Sequence, residues 1–187
     1  MKIGLYFGTF NPIHVGHLII ANHMVSYTDL DQVWLVVSPQ NPLKKKESLL
    51  ADYHRLELIN RAIYVNPSLR ASDIEFNLEK PSYTSVTLAY IQDKFLMHEF
   101  ALIMGEDNLR TFHKWRNYES ILNNHELFVY PRILTEQELN EGAQKTAAKP
   151  AIANHPNVKM TDAPIMKVSA SFIRRSIKDG HDVRYLL

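Results

Sequence analysis

Short apolar segments typical of buried strands alternate with helix-period segments along most of this chain, and this alternation constrains the fold more than any other feature. The predicted strands are Lys2–Phe7, Gln32–Ser38, Leu69–Phe76, Phe100–Met104, Leu127–Tyr130 and Val158–Thr161. The predicted helices are His17–Ser26, Ala51–Tyr64, Ser85–Leu96, Leu109–His113, Tyr118–Asn124 and Ser171–Lys178, with a further short helix at Glu136–Lys145. Alternating strands and helices favour an α/β fold, with a parallel sheet covered by helices on both faces. The continuous apolar runs VWLVV and ALIM support strands that are buried on both sides.

Composition narrows the class of protein. The chain has 187 residues, 45% of them hydrophobic, which suits a single domain spanning residues 1–187. The 21 basic and 20 acidic residues nearly cancel, so no general affinity for nucleic acid is expected. Cysteine is absent, which excludes disulfides, thiolate zinc sites and cysteine nucleophiles. Without a signal-peptide layout or a run of about 18 apolar residues, we expect a cytoplasmic protein without a membrane partner.

The stretch GTFNPIHVGH, residues 8–17, follows the first predicted strand and has the features of a phosphate-binding loop. Gly8 allows a tight turn, and Thr9 and Phe10 offer backbone N–H groups. Pro12 is predicted to begin the helix, where its missing N–H costs nothing. Gly16 leaves room for a ligand against the backbone. Because a helix N-terminus attracts anions, we expect phosphate to bind here.

His14 and His17 are spaced i, i+3, which predicts that they share one helix face. A zinc site is one interpretation, but no third ligand is near, and Gly16 stands where the zinc-protease motif has glutamate. A pair of structural histidines is another. A phosphate-contacting pair accounts for the neighbouring glycines and proline as well, and neutral imidazole can serve as the N–H donor.

A second anion site is predicted near the other end of the chain, in VSASFIRRSI, residues 168–177. Ser169 is the expected N-cap, Ser171 adds a hydroxyl, and Arg174 lies one turn further along the same face. An ordinary capped amphipathic helix is the alternative interpretation.

The middle of the chain offers groups suited to a flat, acidic ligand. In KPSYTSVTL, Ser82 and Thr84 are candidate helix caps beside the aromatic Tyr83, and the free N–H groups there suit a carboxylate. In GEDNLRTFHKW, Gly105 and Asp107 follow a strand, and Asp107 could accept hydrogen bonds from ribose hydroxyls. Trp115 offers a face for stacking, with core packing as the alternative.

These motifs resemble those of known enzymes. HVGH, residues 14–17, resembles the (T/H)xGH element of the nucleotidyltransferase superfamily, and SASFIR resembles its ISSTxIR element, with Ala170 and Ser171 as departures. PSYT, GEDNL…HKW and TDAPIMKVSASFIR resemble, in order and spacing, the nicotinate-nucleotide adenylyltransferase family, and the resemblance extends from Lys2 to Leu187. It implies a Rossmann-like fold and an enzyme of NAD biosynthesis. Such an enzyme joins AMP from ATP to nicotinate mononucleotide, giving nicotinic acid adenine dinucleotide and pyrophosphate.

The resemblance also implies roles for individual residues. His14, His17 and Arg174 would be catalytic. The implied ATP-binding residues are Gly8, Thr9, Phe10, Gly16, His17, Ser169, Ser171, Phe172 and Arg174. The implied residues for the pyridine mononucleotide are Lys44, Tyr83, Thr84, Gly105, Asp107, Trp115 and Arg132. Lys44 belongs to a lysine run whose alternative interpretation is a solvated charged tip. Arg55 is expected to be structural.

The expected cofactor is Mg²⁺ held mainly by substrate phosphates and water, with no metal site built from protein side chains. Asn11 stands where many members of the family have Asp, with little expected cost. The family usually continues beyond VRYLL, which leaves C-terminal packing and a homo-oligomer open. A nicotinamide-mononucleotide enzyme and a non-catalytic nucleotide sensor stay as alternatives, whereas His14 disfavours a phosphopantetheine enzyme.

Overall fold

The structure is a computed structural model that describes residues 1–39, 49–133 and 150–187. Six strands form one sheet: β1 (Lys2–Gly8), β2 (Gln32–Val37), β3 (Leu69–Ser72), β4 (Glu99–Gly105), β5 (Leu127–Tyr130) and β6 (Val158–Met160). The α-helices are α1 (Val15–Tyr27), α2 (Asp52–Ile63), α3 (Thr84–Lys94), α4 (Glu106–Thr111), α5 (Tyr118–Asn124) and α6 (Ala170–Lys178). Single 3₁₀ turns occupy Ile74–Asn77, Phe112–Lys114, Ala151–Asn154 and Arg184–Leu186.

All six strands are parallel, in the order β3-β2-β1-β4-β5-β6. The register places Leu5 between Trp34 of β2 and Leu102 of β4. The chain adds strands on one side of β1 and then returns to add them on the other, so the strand order reverses between β1 and β4. In open α/β sheets, ligands bind at such a reversal, outside the carboxyl ends of the strands.

Side chains from both faces of the sheet are buried, as the prediction of a doubly covered sheet requires. Alternate residues of β2 point to opposite faces, so Leu35 packs in one core cluster and Trp34 in the other. Met24 of α1 and Ile59 of α2 belong to the first cluster, whereas Ile91 of α3 belongs to the second. The predicted fold class is confirmed.

Several predicted boundaries are wrong. The strand predicted over Leu69–Phe76 ends at Ser72, and Ile74–Asn77 forms a 3₁₀ turn because Glu75 turns inward to accept a hydrogen bond from Thr87. The first helix begins at Val15 rather than His17. Glu136–Lys145 lies outside the described residues. No helix in the described ranges is both long enough and apolar enough to span a membrane.

Candidate active site

The loop after β1 is held in an uncommon conformation by its own side chains. Phe10 has a φ of 44° and is 1% exposed. Such backbone strain costs about 1–3 kcal/mol and persists only where the surrounding packing enforces it. The Phe10 ring lies over Gly8, where an added Cβ would lie 2.8 Å from Cζ of that ring. Gly8 is therefore needed for the space it leaves. Pro12 follows a cis peptide bond and precedes the helix, so the prediction that it begins the helix is wrong.

His14 and His17 lie against each other. His14 is the N-cap of α1 with an extended backbone, so it precedes the helix and does not share a helix face with His17 as predicted. Their rings nevertheless stack, with centroids 3.7 Å apart. Burial, with a contribution from Arg132, lowers the pKa of His14 from 6.5 to about 4. Burial, His14 and Arg132 lower the pKa of His17 well below 6.5. Both imidazoles are therefore neutral at pH 7, and each has one N–H to donate.

The closing helix α6 meets this loop. Arg174 donates a hydrogen bond from Nη1 to the carbonyl of Asn11 over 2.8 Å. Its Nη2 lies 3.3 Å from Oγ of Ser171, as expected from their shared helix face. An added Cβ at Gly16 would lie 2.8 Å from Cγ1 of Val168, so the segment before α6 packs directly on the first turn of α1. The two predicted anion sites thus face one cleft.

Ser169 is the N-cap of α6, as predicted, and its Oγ accepts a hydrogen bond from the backbone N–H of Phe172 over 3.2 Å. The Phe172 side chain is 52% exposed. The cap leaves the N–H groups of Ala170 and Ser171 as the first-turn donors that a phosphate could reach.

At the ends of β4 and β5, Arg132 and Asp107 form an ion pair of 2.7 Å. Each is therefore already partnered by the other. The other oxygen of Asp107, Oδ1, lies where a Cβ at Gly105 would stand, at 2.3 Å. Gly105 thus makes room for the Asp107 carboxylate. The sequence did not predict that these two candidate residues would pair across neighbouring strands.

The candidate acceptor site lies at the start of α3. Tyr83 is the N-cap and makes no side-chain cap, so the prediction that Ser82 or Thr84 caps this helix is wrong. No acidic residue lies in the first turn. Trp115 is partly buried against Phe112, with ring centroids 5.2 Å apart. The guanidinium of Arg116 lies 5.0 Å from the centre of the Tyr83 ring, which brings the Trp115 segment beside α3.

The buried side chain of Arg55 confirms the expectation that this residue is structural. Its guanidinium is fully buried and donates to the carbonyls of Thr9, Ser38 and Leu50 and to the carboxylate of Asp52. Arg55 was expected to be structural, and it joins the loop after β1 to the loop after β2. The sequence did not indicate that Arg55 would be buried, because an arginine on an amphipathic helix usually lies at the surface.

Lys44 lies outside the described residues. Within residues 1–39, 49–133 and 150–187, no group of three or more histidine or acidic side chains could hold a metal ion. The donors that converge on the cleft are imidazoles, a guanidinium and helix N-termini, which suit phosphate oxygens better than a bare cation.

Comparison with known proteins places the chain in a family. A family model described as cytidylyltransferase-like matches residues 5–176. A "probable nicotinate-nucleotide adenylyltransferase" of Flavobacterium johnsoniae is 55% identical over 187 residues, which cover 100% of this chain and 92% of that protein. The protein of the same name in Flavobacterium psychrophilum is 56% identical with the same coverage. The chain belongs to the nicotinate-nucleotide adenylyltransferase family.

Solved structures show the same fold at low sequence identity. Nicotinic acid mononucleotide adenylyltransferase of Plasmodium falciparum, solved in complex with NaAD, aligns with a TM-score of 0.73 and 18% identity. The alignment covers 97% of this chain and 86% of that one. The Rossmann-like architecture of the nicotinate-nucleotide adenylyltransferases is therefore retained where most side chains differ.

Proposed function

We propose that the chain transfers the AMP part of ATP to nicotinate mononucleotide, giving nicotinic acid adenine dinucleotide and pyrophosphate. The hydrogen bond from Arg174 to Asn11 carries this proposal, because it closes one cleft over the stacked imidazoles of His14 and His17. A triphosphate in that cleft would meet donors from both ends of the chain. Membership of the nicotinate-nucleotide adenylyltransferase family supports the same reaction.

The neutral state of both histidines fits the binding of a triphosphate. A neutral imidazole donates one N–H to a phosphate oxygen and carries no charge that needs a counterion in the empty cleft. Arg174 supplies the formal positive charge, and its planar guanidinium can hold two oxygens at once. The first-turn N–H groups of α1 and α6 add two helix N-termini.

The chemistry requires no covalent enzyme intermediate. A phosphate oxygen of the mononucleotide attacks the α-phosphorus of ATP in line, and the bond from that phosphorus to the oxygen that bridges to the β-phosphate breaks. The electron pair leaves with pyrophosphate. Reactions of this kind depend mostly on positioning and on stabilising the charge that develops. His14, His17 and Arg174 perform those tasks for the triphosphate.

The acceptor would bind at the start of α3. Its carboxylate accepts hydrogen bonds from first-turn N–H groups near Tyr83 and Thr84, where no side chain caps the helix. Its ring would stack on Trp115. The Arg132–Asp107 ion pair at the ends of β5 and β4 would lie between the two substrates, with Arg132 toward phosphate and Asp107 toward ribose hydroxyls.

Magnesium would enter as a complex with ATP. The donor set around His14, His17 and Arg174 suits the phosphate oxygens, which in turn hold the cation with water. When bound, Mg²⁺ neutralises part of the charge that two anionic substrates bring together.

A pyrophosphate-release assay tests the proposal. Purified protein with ATP and Mg²⁺ is given nicotinate mononucleotide, nicotinamide mononucleotide or phosphopantetheine. We expect release with the acid at a higher kcat/KM than with the amide, and none with phosphopantetheine. A higher kcat/KM with the amide would support the nicotinamide enzyme. ATP binding without release for any acceptor would support a nucleotide sensor.

A further inference from the structure

We infer that Arg116 determines the preference of the acceptor site for an acid over an amide, an inference that rests on the proposed function. Its guanidinium carbon lies 5.0 Å from the centre of the Tyr83 ring, and Tyr83 is the N-cap of the helix whose first turn would hold the acceptor. Arg116 is exposed, so its charge lies at the surface beside Tyr83 rather than in the core.

The turn that carries Arg116 is well defined. The carbonyl of Phe112 accepts from the N–H of Trp115 over 2.9 Å, and the carbonyl of Trp115 accepts from the N–H of Tyr118 over 3.2 Å. Asn117 adopts the left-handed conformation with φ 55° and ψ 35°, which asparagine tolerates better than most residues. These contacts hold the backbone on both sides of Arg116, whose guanidinium lies over the Tyr83 ring.

To distinguish a carboxylate from an amide by charge, the start of α3 needs a positively charged side chain nearby. Backbone N–H groups can donate to a carboxylate or to an amide carbonyl, so hydrogen bonding alone gives limited selectivity. The helix dipole contributes only about half a unit charge. A guanidinium beside the first turn, as Arg116 supplies over Tyr83, adds a full positive charge that distinguishes a carboxylate from an amide.

Arginine suits this place better than lysine, because its planar, weakly hydrated guanidinium stacks on an aromatic ring and still donates at its edge. A carboxylate bound at the first turn would gain the Coulombic attraction, whereas a neutral amide would not. Since one exposed charge is worth at most roughly 1 kcal/mol, we expect an effect of up to about fivefold.

The test measures dissociation constants of nicotinate and nicotinamide mononucleotide by titration calorimetry, beside kcat/KM for both acceptors. In Arg116→Gln, we expect binding of the acid to weaken about fivefold and binding of the amide to change less than about twofold. Arg116→Lys should keep most of the preference, because the charge remains. Lys114→Gln is the matched control, with the same charge change on the other side of Trp115, and its acid-to-amide ratio should match that of the wild type.

The outcomes separate this inference from the proposed function. If the wild type turns over the acid and Arg116→Gln keeps the same acid-to-amide ratio, the inference is overturned and the proposed function stands. Equal weakening of both ligands in Arg116→Gln assigns Arg116 to holding the loop and also overturns the inference. Loss of the preference in Arg116→Lys, which keeps the charge, would show that the charge does not set the preference and would overturn it as well. If the wild type binds the acid in an Arg116-dependent manner without releasing pyrophosphate, the inference stands and the proposed function fails. If neither mononucleotide binds, both fail.

Discussion

Arg174 donates a hydrogen bond to the backbone carbonyl of Asn11, which lies 163 residues earlier in the chain, over 2.8 Å. The peptide unit that receives this bond belongs to the loop between β1 and α1, and the guanidinium comes from the last α-helix among the described residues. The bond therefore joins the loop before α1 to α6 and holds the Arg174 guanidinium against the residues that precede His14.

Replacing Arg174 should impair turnover more than folding. In Arg174→Ala we expect kcat to fall about 10²-fold, because a preorganised charged donor is lost from the transition state. Arg174→Lys should retain only part of the wild-type kcat, since one ammonium does not reproduce a planar donor that reaches both Asn11 and Ser171. Lys178→Ala, an exposed site on the same helix, should keep near-normal kcat. Steady-state kinetics at saturating substrates gives kcat for the three variants. A fall in kcat in Lys178→Ala equal to that in Arg174→Ala would contradict a specific role for Arg174.

His17→Ala should lower turnover at saturating substrates by at least about 10²-fold, in line with the loss of one preorganised donor to developing negative charge. His23→Ala on the same helix is the matched control, because His23 stacks on Tyr27 rather than on the loop after β1. Near-normal turnover in His17→Ala would count heavily against the proposed mechanism.

Stability should depend on pH through His14. Its pKa is about 4 in the folded protein and 6.5 when exposed, so between these values the unfolded state binds more protons than the folded state. The contribution of the neutral His14 imidazole to the free energy of unfolding is fully present above pH 6.5 and decreases as the pH falls toward 4. In total it amounts to about 3 kcal/mol. The pKa of His17 is lowered in the same direction, so His17 also makes the protein less stable as the pH falls. Urea unfolding at pH 7, 6, 5 and 4.5 measures this change, and His14→Gln should flatten it. An unchanged slope in that variant would show that the folded state does not exclude the proton from His14.

Local patterns in the sequence account for most of the fold but not for the long-range polar contacts. The strand β2 was predictable because Val33–Val37 is one continuous apolar run. The 3₁₀ turn at Ile74–Asn77 was not, because it depends on a buried hydrogen bond between Glu75 and Thr87. Secondary-structure patterns report which face is apolar, and they carry no information about the partner of a buried carboxylate.

The same distinction applies to the candidate site. Gly16, His17 and Ser169 lie in short motifs whose spacing already indicates a helix N-terminus, so their placement in the cleft was predictable. The pairing of Arg132 with Asp107 and the position of Arg116 over Tyr83 were not predictable. Those contacts depend on strand order and loop conformation, which cannot be predicted from the spacing of apolar residues within one segment.

Arg55 should be among the most destabilising positions on α2. In Arg55→Met the carbonyls of Thr9, Ser38 and Leu50 lose their buried donor. Asp52 loses the nearer of its two ion-pair partners and keeps Lys80 at 3.8 Å. Removing one member of a buried charged network costs about 3–5 kcal/mol. Arg61→Met on the same helix is the control, because the Arg61 side chain is 75% exposed in its pair with Glu57 and should cost less than about 1 kcal/mol. Urea unfolding measures both, and similar losses at the two sites would contradict the bracing role of Arg55.

The contact between Gly16 and Val168 can be tested by a double-mutant cycle. Gly16→Ala places a methyl group 2.8 Å from Cγ1 of Val168 and 3.1 Å from the His14 ring, so the Val168 side chain or the segment that carries it must shift away from α1. We expect the dissociation constant for ATP to rise about tenfold, the equivalent of roughly 1.4 kcal/mol. Val168→Ala removes the branch that clashes, so it should have a small effect alone and should recover part of the affinity in the double variant. Titration calorimetry gives the dissociation constant for ATP of the wild type, the two single variants and the double variant. The effects of the two substitutions on that constant are expected to be non-additive if the two residues are in contact. Strict additivity would show that the loops do not pack against each other when ATP is bound.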